Sequence, residues 1–325
     1  MSARFLQGWD EEVAERSLGN RMRVSLLHNS HSGSKDHTAD EVAHTIRSRG
    51  HEVVGVAHSL DELVTGLKRD ETELIAIAGG DGTVSRTACA LAGSHIPLAI
   101  LPHGTANNTA RSLGVTGSVP QIIDDWQRSR AVPFDLLDAS ADGHTTRLAE
   151  AIGWGVFPRV IAEAKRREEH ASRSKTAGPD DAVRSLDDER ALFREVVERA
   201  RPQPYEVEID GVNYSGDYLL VEISNVRFIG PQLLLAPESS TKDGLVEVTL
   251  WGSAEREHLL RSLAADESTR HSAQGPAARV GDRVSVTATD QLRHVDGHLV
   301  DLGDQTRRTV RVSVRRGAVH YWVGA

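Results

Sequence analysis

Residues 73–84, Glu-Leu-Ile-Ala-Ile-Ala-Gly-Gly-Asp-Gly-Thr-Val, decide the interpretation of this chain. An apolar run passes directly into closely spaced glycines with one carboxylate and one hydroxyl, which predicts a buried strand, a tight turn and a helix over 84–91. Glycines let the backbone approach a ligand, and the first turn of a helix presents N–H groups to an anion. The stretch predicts a phosphate-binding loop; the alternative is an ordinary turn with an Asp at the start of a helix.

Asp81 narrows the chemistry that such a loop can support. A carboxylate repels a bare phosphate, so its presence indicates either a bound Mg²⁺ or a hydroxyl group that must lose a proton. Phosphoryl transfer to an alcohol requires both. Positioning and charge neutralisation dominate that reaction, and the backbone N–H groups of 79–85 would hold the phosphates.

Two further segments have the same organisation. An apolar strand predicted over 96–101 is followed by Pro-His-Gly-Thr at 102–105 and by a predicted helix that Gly114 ends. Nearer the start of the chain, a strand predicted over 23–27 is followed by Asn-Ser-His-Ser-Gly-Ser-Lys at 29–35. Because ligands of doubly wound sheets collect at the carboxyl ends of the strands, we expect the three loops to line one crevice.

The pattern of predicted elements changes near residue 133. Over 22–133, after an N-terminal extension at 1–21, strands and helices alternate, which predicts a Rossmann-like α/β nucleotide-binding domain with a mainly parallel sheet. Over 134–325 the pattern becomes strand after strand, which predicts an antiparallel β-sandwich with a charged helical insertion at about 160–204. We expect the substrate cleft between the two domains and a return of the last residues to the first. The strands predicted for the second domain are 134–139, 145–153, 205–209, 217–224, 245–250, 283–288, 294–300 and 309–314.

Composition limits the classes of function. The chain has 325 residues and a formal net charge of −9, which argues against nucleic acid as a partner. No apolar run approaches the roughly 18 residues that a membrane-spanning helix needs, and residues 1–20 are too polar for a signal peptide, so we expect a cytoplasmic protein. The single cysteine, Cys89, cannot form an internal disulfide. The histidines lack the spacing of a metal site, although His31 and His103 lie inside predicted phosphate loops.

The motifs themselves separate the nucleotide-binding families. Neither a P-loop nor a dinucleotide fingerprint occurs after a predicted strand. The glycine loop at 79–83, Pro-x-Gly-Thr-x-Asn at 102–107 and Asn-x-x-Ser-Gly at 29–33 instead resemble the diacylglycerol kinase catalytic-domain family, which includes sphingosine, ceramide and bacterial lipid kinases. Residues 234–248 are similar to that family's Ala-Pro…Asp-Gly-x-Leu-x-Val segment, and Val-Asp-Gly-His at 295–298 stands where it has Asp-Gly-Glu. Nicotinamide-dinucleotide kinases share the glycine loop, but the second loop resembles the lipid branch.

This resemblance implies an ATP- and Mg²⁺-dependent lipid kinase that transfers the γ-phosphate to the hydroxyl of diacylglycerol or a related lipid alcohol at the inner membrane surface. Asp296 would take the proton from that hydroxyl, with Asp81 binding Mg²⁺–ATP or serving as the base itself. A second Mg²⁺ would be held by Asp243 and the carbonyls of Ser240 and Leu245, although Lys-Asp-Gly is also an ordinary turn. The predicted nucleotide ligands are Asn29, Ser32, Gly33, Gly79, Gly80, Asp81, Gly82, Thr83, Val84, Ser85, Gly104, Thr105 and Asn107.

Three positions depart from the family pattern. Arg86 and Asn108 replace acidic residues, and His298 replaces the Glu of Asp-Gly-Glu. Arg86 would either pair with an ATP phosphate or mark a loss of Mg²⁺ chemistry. The alternatives to a lipid kinase are therefore a nucleotide-binding protein without turnover and an NAD kinase-like enzyme. The basic residues between 165 and 175 would either attract anionic lipid headgroups or belong to a solvated helix. Exposed sheet edges in the second domain would allow a homodimer.

Overall fold

The computed structural model describes residues 21–29, 37–173, 185–264, 277–289, 292–301 and 307–324. Within these limits the chain forms two compact units. Unit 1 contains the residues up to Gly104, Ala110–Phe134 and the residues from Gly317 onward, and unit 2 contains Thr105–Thr109 and Asp135–Arg316. Ser32 and Gly33 of the predicted nucleotide ligands lie outside the described residues, as do His31 and most of the predicted N-terminal extension.

Unit 1 is an α/β unit with a parallel sheet of strand order β2-β1-β3-β4, in which the C-terminal strand pairs with β4 at Tyr321 and Leu98. Strand β3 is buried along its whole length, as its continuous apolar sequence predicts, and Leu74, Ala76 and Ala78 share a core with residues of α1 and α5. The elements in this part of the chain are β1 (Arg23–His28), α1 (Ala39–Ser48), β2 (Glu52–Ala57), α2 (Leu60–Gly66), β3 (Leu74–Gly79), α3 (Asp81–Ala90), β4 (Leu98–Pro102), α4 (Asn108–Ser112), α5 (Val119–Asp125) and a 3-10 turn (Trp126–Arg128).

Local capping sets where the first helices begin. Helix α1 begins at Ala39 because Thr38 and Glu41 form a capping box, in which each side chain bonds the backbone N–H of the other residue. Helix α3 starts at Asp81 rather than at the predicted residue 84, with Gly80 at its N-cap. The first turn of α3 therefore consists of the glycine loop itself, which directs the N–H groups of that loop out of the helix end.

Unit 2 is an antiparallel β-sandwich with helices. Its first sheet has the order β10-β8-β16-β19, with β5 paired to β19 and β6 to β5, and its second has the order β15-β14-β11-β7-β17-β18. One apolar core contains residues of both sheets. Its elements are β5 (Ser129–Ala141), β6 (His144–Leu148), β7 (Ala151–Gly155), α6 (Val156–Arg173), α7 (Leu186–Arg199), β8 (Gln203–Ile209), β9 (Val212–Asn213), β10 (Gly216–Tyr218), β11 (Leu220–Ser224), β12 (Phe228–Ile229), β13 (Leu233–Leu234), β14 (Val246–Trp251), a 3-10 turn (Ser253–Glu255), α8 (Arg256–Ala264), β15 (Arg279–Gly281), β16 (Arg283–Ala288), β17 (Leu292–Val295), β18 (His298–Asp301) and β19 (Arg308–Gly324).

Three segments were predicted to be single continuous strands. These predictions are wrong, because each segment forms two strands. The predicted 145–153 is β6 and β7, and the predicted 217–224 is β10 and β11, with the two halves in different sheets. The predicted 294–300 is the hairpin β17–β18, which turns at Asp296 and Gly297. Apolar residues lie on both sides of each break, so the apolar pattern alone does not detect them. Helix α8 was also absent from the predicted elements.

The predicted charged insertion contains α6 and α7. Glu163 accepts hydrogen bonds from Arg166 and Arg167, and these two guanidinium groups hold the pKa of Glu163 down at about 2. Arg167 also bonds Glu195 on α7 at 2.7 Å. Arg167 therefore joins the two helices, and Arg166 bonds within α6, which favours the solvated-helix alternative over headgroup binding. Lys175 lies outside the described residues. No helix in the described part of the chain is both long enough and apolar enough to cross a bilayer.

Candidate functional site

Asn29, the glycine loop and the start of the second loop lie side by side at the carboxyl ends of β1, β3 and β4 in the parallel sheet of unit 1. The backbone N–H of Asn29 donates to the Ala78 carbonyl at 3.0 Å, and that of His103 donates to the Gly79 carbonyl at 3.1 Å. Gly79 pairs with Pro102 in the β3–β4 register. Unit 1 thus brings Asn29, the glycine loop and the first part of the second loop, up to Gly104, to the carboxyl ends of three parallel strands, where such sheets bind ligands.

The glycine loop is held in shape by packing at its first residue. The Asn29 amide donates to the Thr83 hydroxyl at 2.8 Å, so two predicted nucleotide ligands bond each other. A methyl group at Gly79 would lie 2.7 Å from Cβ of Thr83, which leaves space only for glycine. Thr83, Val84 and Ser85 are buried, whereas Asp81 is partly exposed. The N–H groups of Thr83 and Val84 donate to the Gly80 carbonyl, so the N–H groups that this loop directs toward a ligand are those before Thr83.

Arg86 lies on the exposed side of α3. Its Nε donates to the carbonyl of Gly82, four residues earlier, at 3.0 Å. In this arrangement the guanidinium lies beside the glycine loop, at the position where the family pattern has an acid. A cation there complements a phosphate group on the loop.

His103 is buried, and one nitrogen of its ring is bonded within its own loop. Its Nδ1 lies 2.8 Å from the carbonyl of Leu101, so Nδ1 carries the proton and donates within its own loop. The ring of His28 contacts that of His103 edge to face, and Nε2 of His28 donates to the His37 carbonyl at 2.8 Å. The two imidazoles thus fasten the ends of β1 and β4 to neighbouring backbone.

The second half of the second loop, Thr105–Thr109, belongs to unit 2 and is anchored there. The Asn108 amide donates to the Gly230 carbonyl at 2.9 Å, and the Gln232 amide donates to the Ala106 carbonyl at 3.0 Å. Asn107 has a positive φ of 51°, a conformation that asparagine tolerates better than most residues. Asn108 is buried and has a structural role, which accounts for an amide where the family pattern has an acid.

Asp296 occupies the turn of the β17–β18 hairpin. Asp296 and Gly297 both have positive φ, 45° and 72°, as a two-residue type I′ turn requires. The carboxylate accepts the backbone N–H groups of Ala149, Glu150 and Ala151 at 2.9, 2.9 and 3.0 Å. Those residues form the break between β6 and β7, so the carboxylate orients the hairpin on that break.

Glu150 connects Asp296 to the second loop. Its carboxylate is buried and accepts a hydrogen bond from the Thr109 hydroxyl, while its backbone N–H donates to Asp296. The Asn225 amide fixes the same segment through the carbonyls of Asp135 and Ala149, at 2.8 and 3.0 Å. Unit 2 therefore brings Thr105–Thr109 and Asp296 into one hydrogen-bonded assembly, through a glutamate that no sequence motif marks.

The predicted metal loop is also in unit 2. Asp243 is exposed, and its Oδ1 accepts the Leu245 N–H at 3.0 Å. The buried carboxylate of Asp135 accepts the Gly244 N–H at 2.7 Å and fixes the turn. Among the described residues, no three His, Cys, Asp or Glu side chains are arranged as a metal site. The donor set predicted here is instead one carboxylate with carbonyl oxygens, the hard ligands that Mg²⁺ accepts.

Glu247 adds a buried carboxylate beside this loop. Its Oε2 has no hydrogen-bond partner in the described structure. Burial, together with the charge of Asp243, raises the pKa of Glu247 to about 7, against lowering effects of Ser239 and Arg227. A buried acid with an unsatisfied oxygen next to Asp243 fits a loop that receives a cation, because a cation would compensate both carboxylates.

The raised pKa of Glu247 predicts a pH dependence of stability. A folded-state pKa of about 7, against 4.5 in the unfolded chain, means that the folded state retains the proton longer, so the unfolding free energy falls as pH rises from about 4.5 to 7. We expect Glu247→Gln to remove this loss and to be more stable than wild type at pH 8 by roughly 2 to 3 kcal/mol. Urea unfolding at pH 5 and pH 8 in chelator measures it. Glu208→Gln, an exposed control, should retain the wild-type slope; an unchanged slope in Glu247→Gln would contradict the expectation.

Comparisons with known proteins agree with this architecture. Residues 23–139 match the model of the diacylglycerol kinase catalytic domain, and residues 188–319 match that of the YegS C-terminal NAD kinase beta sandwich-like domain. A solved structure of a diacylglycerol kinase from Bacillus anthracis superimposes with a TM-score of 0.62 at 17% identity, over 92% of this chain and 96% of the other. At that identity the similarity supports the fold alone.

Two curated relatives match over a large part of their length. "Diacylglycerol kinase" of Mycobacterium tuberculosis is 29% identical over 226 residues, which is 66% of this chain and 68% of the relative. "Probable lipid kinase YegS-like" of Pectobacterium atrosepticum is 27% identical over 253 residues, 76% of each chain. The chain thus contains a diacylglycerol kinase catalytic domain at 23–139, followed by a YegS-type C-terminal domain at 188–319. The resemblance found in the sequence motifs and the fold class predicted from them are thereby confirmed.

Proposed function

We propose that this protein is an ATP-dependent lipid kinase that transfers the γ-phosphate of ATP to the hydroxyl of diacylglycerol or a related lipid alcohol. The observation that carries the proposal is the glycine loop of unit 1, where a helix begins at Asp81 and a side chain at Gly79 is excluded. Such a loop binds phosphate through backbone N–H groups, and the carboxylate at its centre requires a metal ion or a proton donor.

The nucleotide site of the proposal lies at the edge of the unit 1 sheet. The N–H groups of the first turn of α3 bind the phosphates of ATP, and the Asn29–Thr83 bond keeps that turn in place. Asp81 binds the Mg²⁺ that accompanies ATP, and Arg86 adds positive charge beside the loop. Gly104, Thr105 and Asn107 contribute from the second loop.

The acceptor hydroxyl is activated by Asp296 in this proposal. Its carboxylate takes the proton, the alcohol oxygen attacks the γ-phosphorus in line, and the bond between that phosphorus and the β–γ bridging oxygen breaks to release ADP. Three backbone N–H groups hold the carboxylate in one orientation. Asp81 is the alternative base.

A second cation is assigned to the loop at 240–245. Asp243 and the carbonyls of Ser240 and Leu245 would hold Mg²⁺, and the turn that Asp135 fixes would place these oxygens. The ion would supply positive charge near the buried Glu247. The enzyme would meet its substrate as a peripheral protein at the inner membrane surface, and exposed sheet edges would allow a homodimer.

The experiment that tests the function is transfer of labelled γ-phosphate from ATP·Mg²⁺ to lipid alcohols in mixed micelles. The panel contains diacylglycerol, sphingosine and ceramide, with NAD as a soluble acceptor. Labelled lipid identifies a lipid kinase, and labelled NAD alone identifies the NAD kinase-like alternative. ATP binding without any labelled product would contradict the proposal and favour a nucleotide-binding protein without turnover, in line with His298.

Gly79→Ala tests the glycine loop separately from the chemistry. The added methyl would lie 2.7 Å from Cβ of Thr83 and must displace the loop, so we expect ATP to bind at least tenfold more weakly. Isothermal titration calorimetry with ATP·Mg²⁺ measures the change. Gly66→Ala is the matched control, because a methyl there meets nothing within 4 Å, and it should bind ATP as wild type does. Equal affinity in Gly79→Ala would show that nucleotide does not use this loop.

A further inference from the structure

Two arginines of unit 2 occupy core-facing positions on opposite sheets of the sandwich. Arg293 on β17 is paired with Trp154 on β7, whose side chain belongs to the apolar core. Directly paired residues of antiparallel strands share a face, so Arg293 points toward the core side of its sheet. Arg308 on β19 is paired with Ala288, another core residue, and alternates in step with the buried Val310. Charged side chains are rare at such positions unless they are paired.

The charges of this cluster do not balance. Arg308 bonds Asp142, at 2.9 Å between Nη1 and Oδ2, and no described acid pairs with Arg293. Burial and the charge of Arg308 both lower the pKa of Arg293, while Asp142 raises it. A guanidinium nevertheless stays protonated in proteins. Two cations with one anion leave the cluster with an excess positive charge.

Several hydrogen-bond donors of this cluster also lack an acceptor. Nε and Nη1 of Arg293 and Nε of Arg308 are buried and have no partner among the described residues. Leaving a buried donor unsatisfied costs more than most single hydrogen bonds contribute, and the cost is larger for charged donors. An acceptor with negative charge and several oxygens would satisfy these donors and compensate the charge.

We propose that Arg293 and Arg308 form a binding site for a phosphate group. The planar fork of a guanidinium donates two parallel N–H bonds to phosphate oxygens, and guanidiniums at core-side positions of both sheets would hold the group from two sides. The phosphate comes from a soluble ion or ester or from a phospholipid headgroup. The site is independent of the proposed kinase activity, because it uses neither the glycine loop nor Asp296.

The test compares binding of inorganic phosphate by wild type, Arg293→Met and Arg311→Gln, at constant ionic strength kept with sodium chloride. Arg311 is the matched control, an exposed arginine on the same strand as Arg308 that pairs with Ser285 on the solvent side. We expect ³¹P line broadening and calorimetry to show phosphate binding at least tenfold weaker in Arg293→Met and within twofold of wild type in Arg311→Gln. Arg293→Lys, which keeps the charge and loses the fork, should bind with intermediate affinity.

Folding and ligand source are measured on the same proteins. Arg293→Met replaces an unsatisfied cation by an apolar chain, so in phosphate-free chloride its melting temperature should equal or exceed that of wild type. Phosphate should raise the melting temperature of wild type more than that of the variant. Co-sedimentation with phosphatidylcholine vesicles, with and without phosphatidic acid, distinguishes the sources: binding that requires both phosphatidic acid and Arg293 assigns a lipid headgroup, and soluble phosphate binding alone assigns a free ion or ester.

Three results would overturn the proposed phosphate site. Equal phosphate binding by wild type and Arg293→Met would show that phosphate binds elsewhere, for example at the glycine loop. Loss of phosphate binding in Arg311→Gln would assign the phosphate site to the solvent-exposed face of the sheet. No binding by wild type beyond the chloride control would show that the two arginines remain without an oxyanion.

Discussion

Asp296→Asn lowers kcat for lipid phosphorylation by at least a hundredfold, the lower range for loss of a general base, if the proposed mechanism holds. The amide oxygen cannot take the proton of the alcohol. The amide also presents an NH₂ group to a site where three backbone N–H groups converge, so at least one of those donors loses its acceptor. The measurement is the rate of labelled phosphate transfer with saturating lipid and ATP·Mg²⁺.

A matched variant separates catalysis from the structural role of this carboxylate. Asp210 also begins a hairpin turn with positive φ, 49°, and its carboxylate accepts the N–H groups of Asp282 and Arg283 at 3.3 and 3.0 Å. Asp210→Asn therefore removes a similar clamp far along the chain from any motif, and its kcat should stay within about twofold of wild type. If both variants lose activity equally and both have a lowered melting temperature, the role of Asp296 is to hold the turn. Asp81 would then be the candidate for the general base.

The sequence predicts those parts of the site that depend on local chemistry. A buried strand, a glycine turn and a helix N-terminus are encoded within about a dozen consecutive residues, and the structure has β3, Gly80 and α3 in that order. Asp-Gly at 296–297 is likewise a local signal for a two-residue hairpin, although the strand predicted over 294–300 ran through it. In each case the determining interactions lie within a few residues along the chain, which is the range over which a sequence pattern is informative.

The partners of these residues depend on long-range contacts. The N–H groups that hold Asp296 are 145 to 147 residues away along the chain, and the Asp135 carboxylate bonds a glycine 109 residues away. Asp135 lies within a strand whose alternation gives no sign of a function. Glu150 falls at a break between strands that the pattern does not show. Only the pairing of the sheets brings these acids to the loops.

The Glu222–His294 pair depends on the absence of a side chain at Gly153. Gly153 on β7 is paired with Glu222 on one side and His294 on the other, and the two side chains meet above it with Nε2 of His294 2.9 Å from Oε1 of Glu222. Their side chains are 0% and 3% exposed. The Phe157 ring lies 5.5 Å from the imidazole and closes the site. The pair thus joins three strands of the second sheet two residues before Asp296.

Gly153→Ala should strongly destabilise this sheet. Its methyl would lie 1.8 Å from Oε2 of Glu222 and 2.8 Å from Nε2 of His294, and neither side chain can leave without exposing a buried polar group to apolar surroundings. Overpacking together with rupture of a buried pair predicts a loss of roughly 3 to 5 kcal/mol in the free energy of unfolding. Urea unfolding monitored by circular dichroism measures it.

Two further variants decide whether the clash is the cause. Gly55→Ala adds a methyl to another strand glycine, where the nearest atom outside its neighbours is Oγ of Ser25 at 3.8 Å, and should change stability by less than about 1 kcal/mol. Glu222→Ala in the Gly153→Ala background removes the atom that the methyl strikes, so the double variant should lose less stability than the sum of the two single changes. Strict additivity would mean that the methyl and the carboxylate do not meet, and that Gly153 is required for another reason.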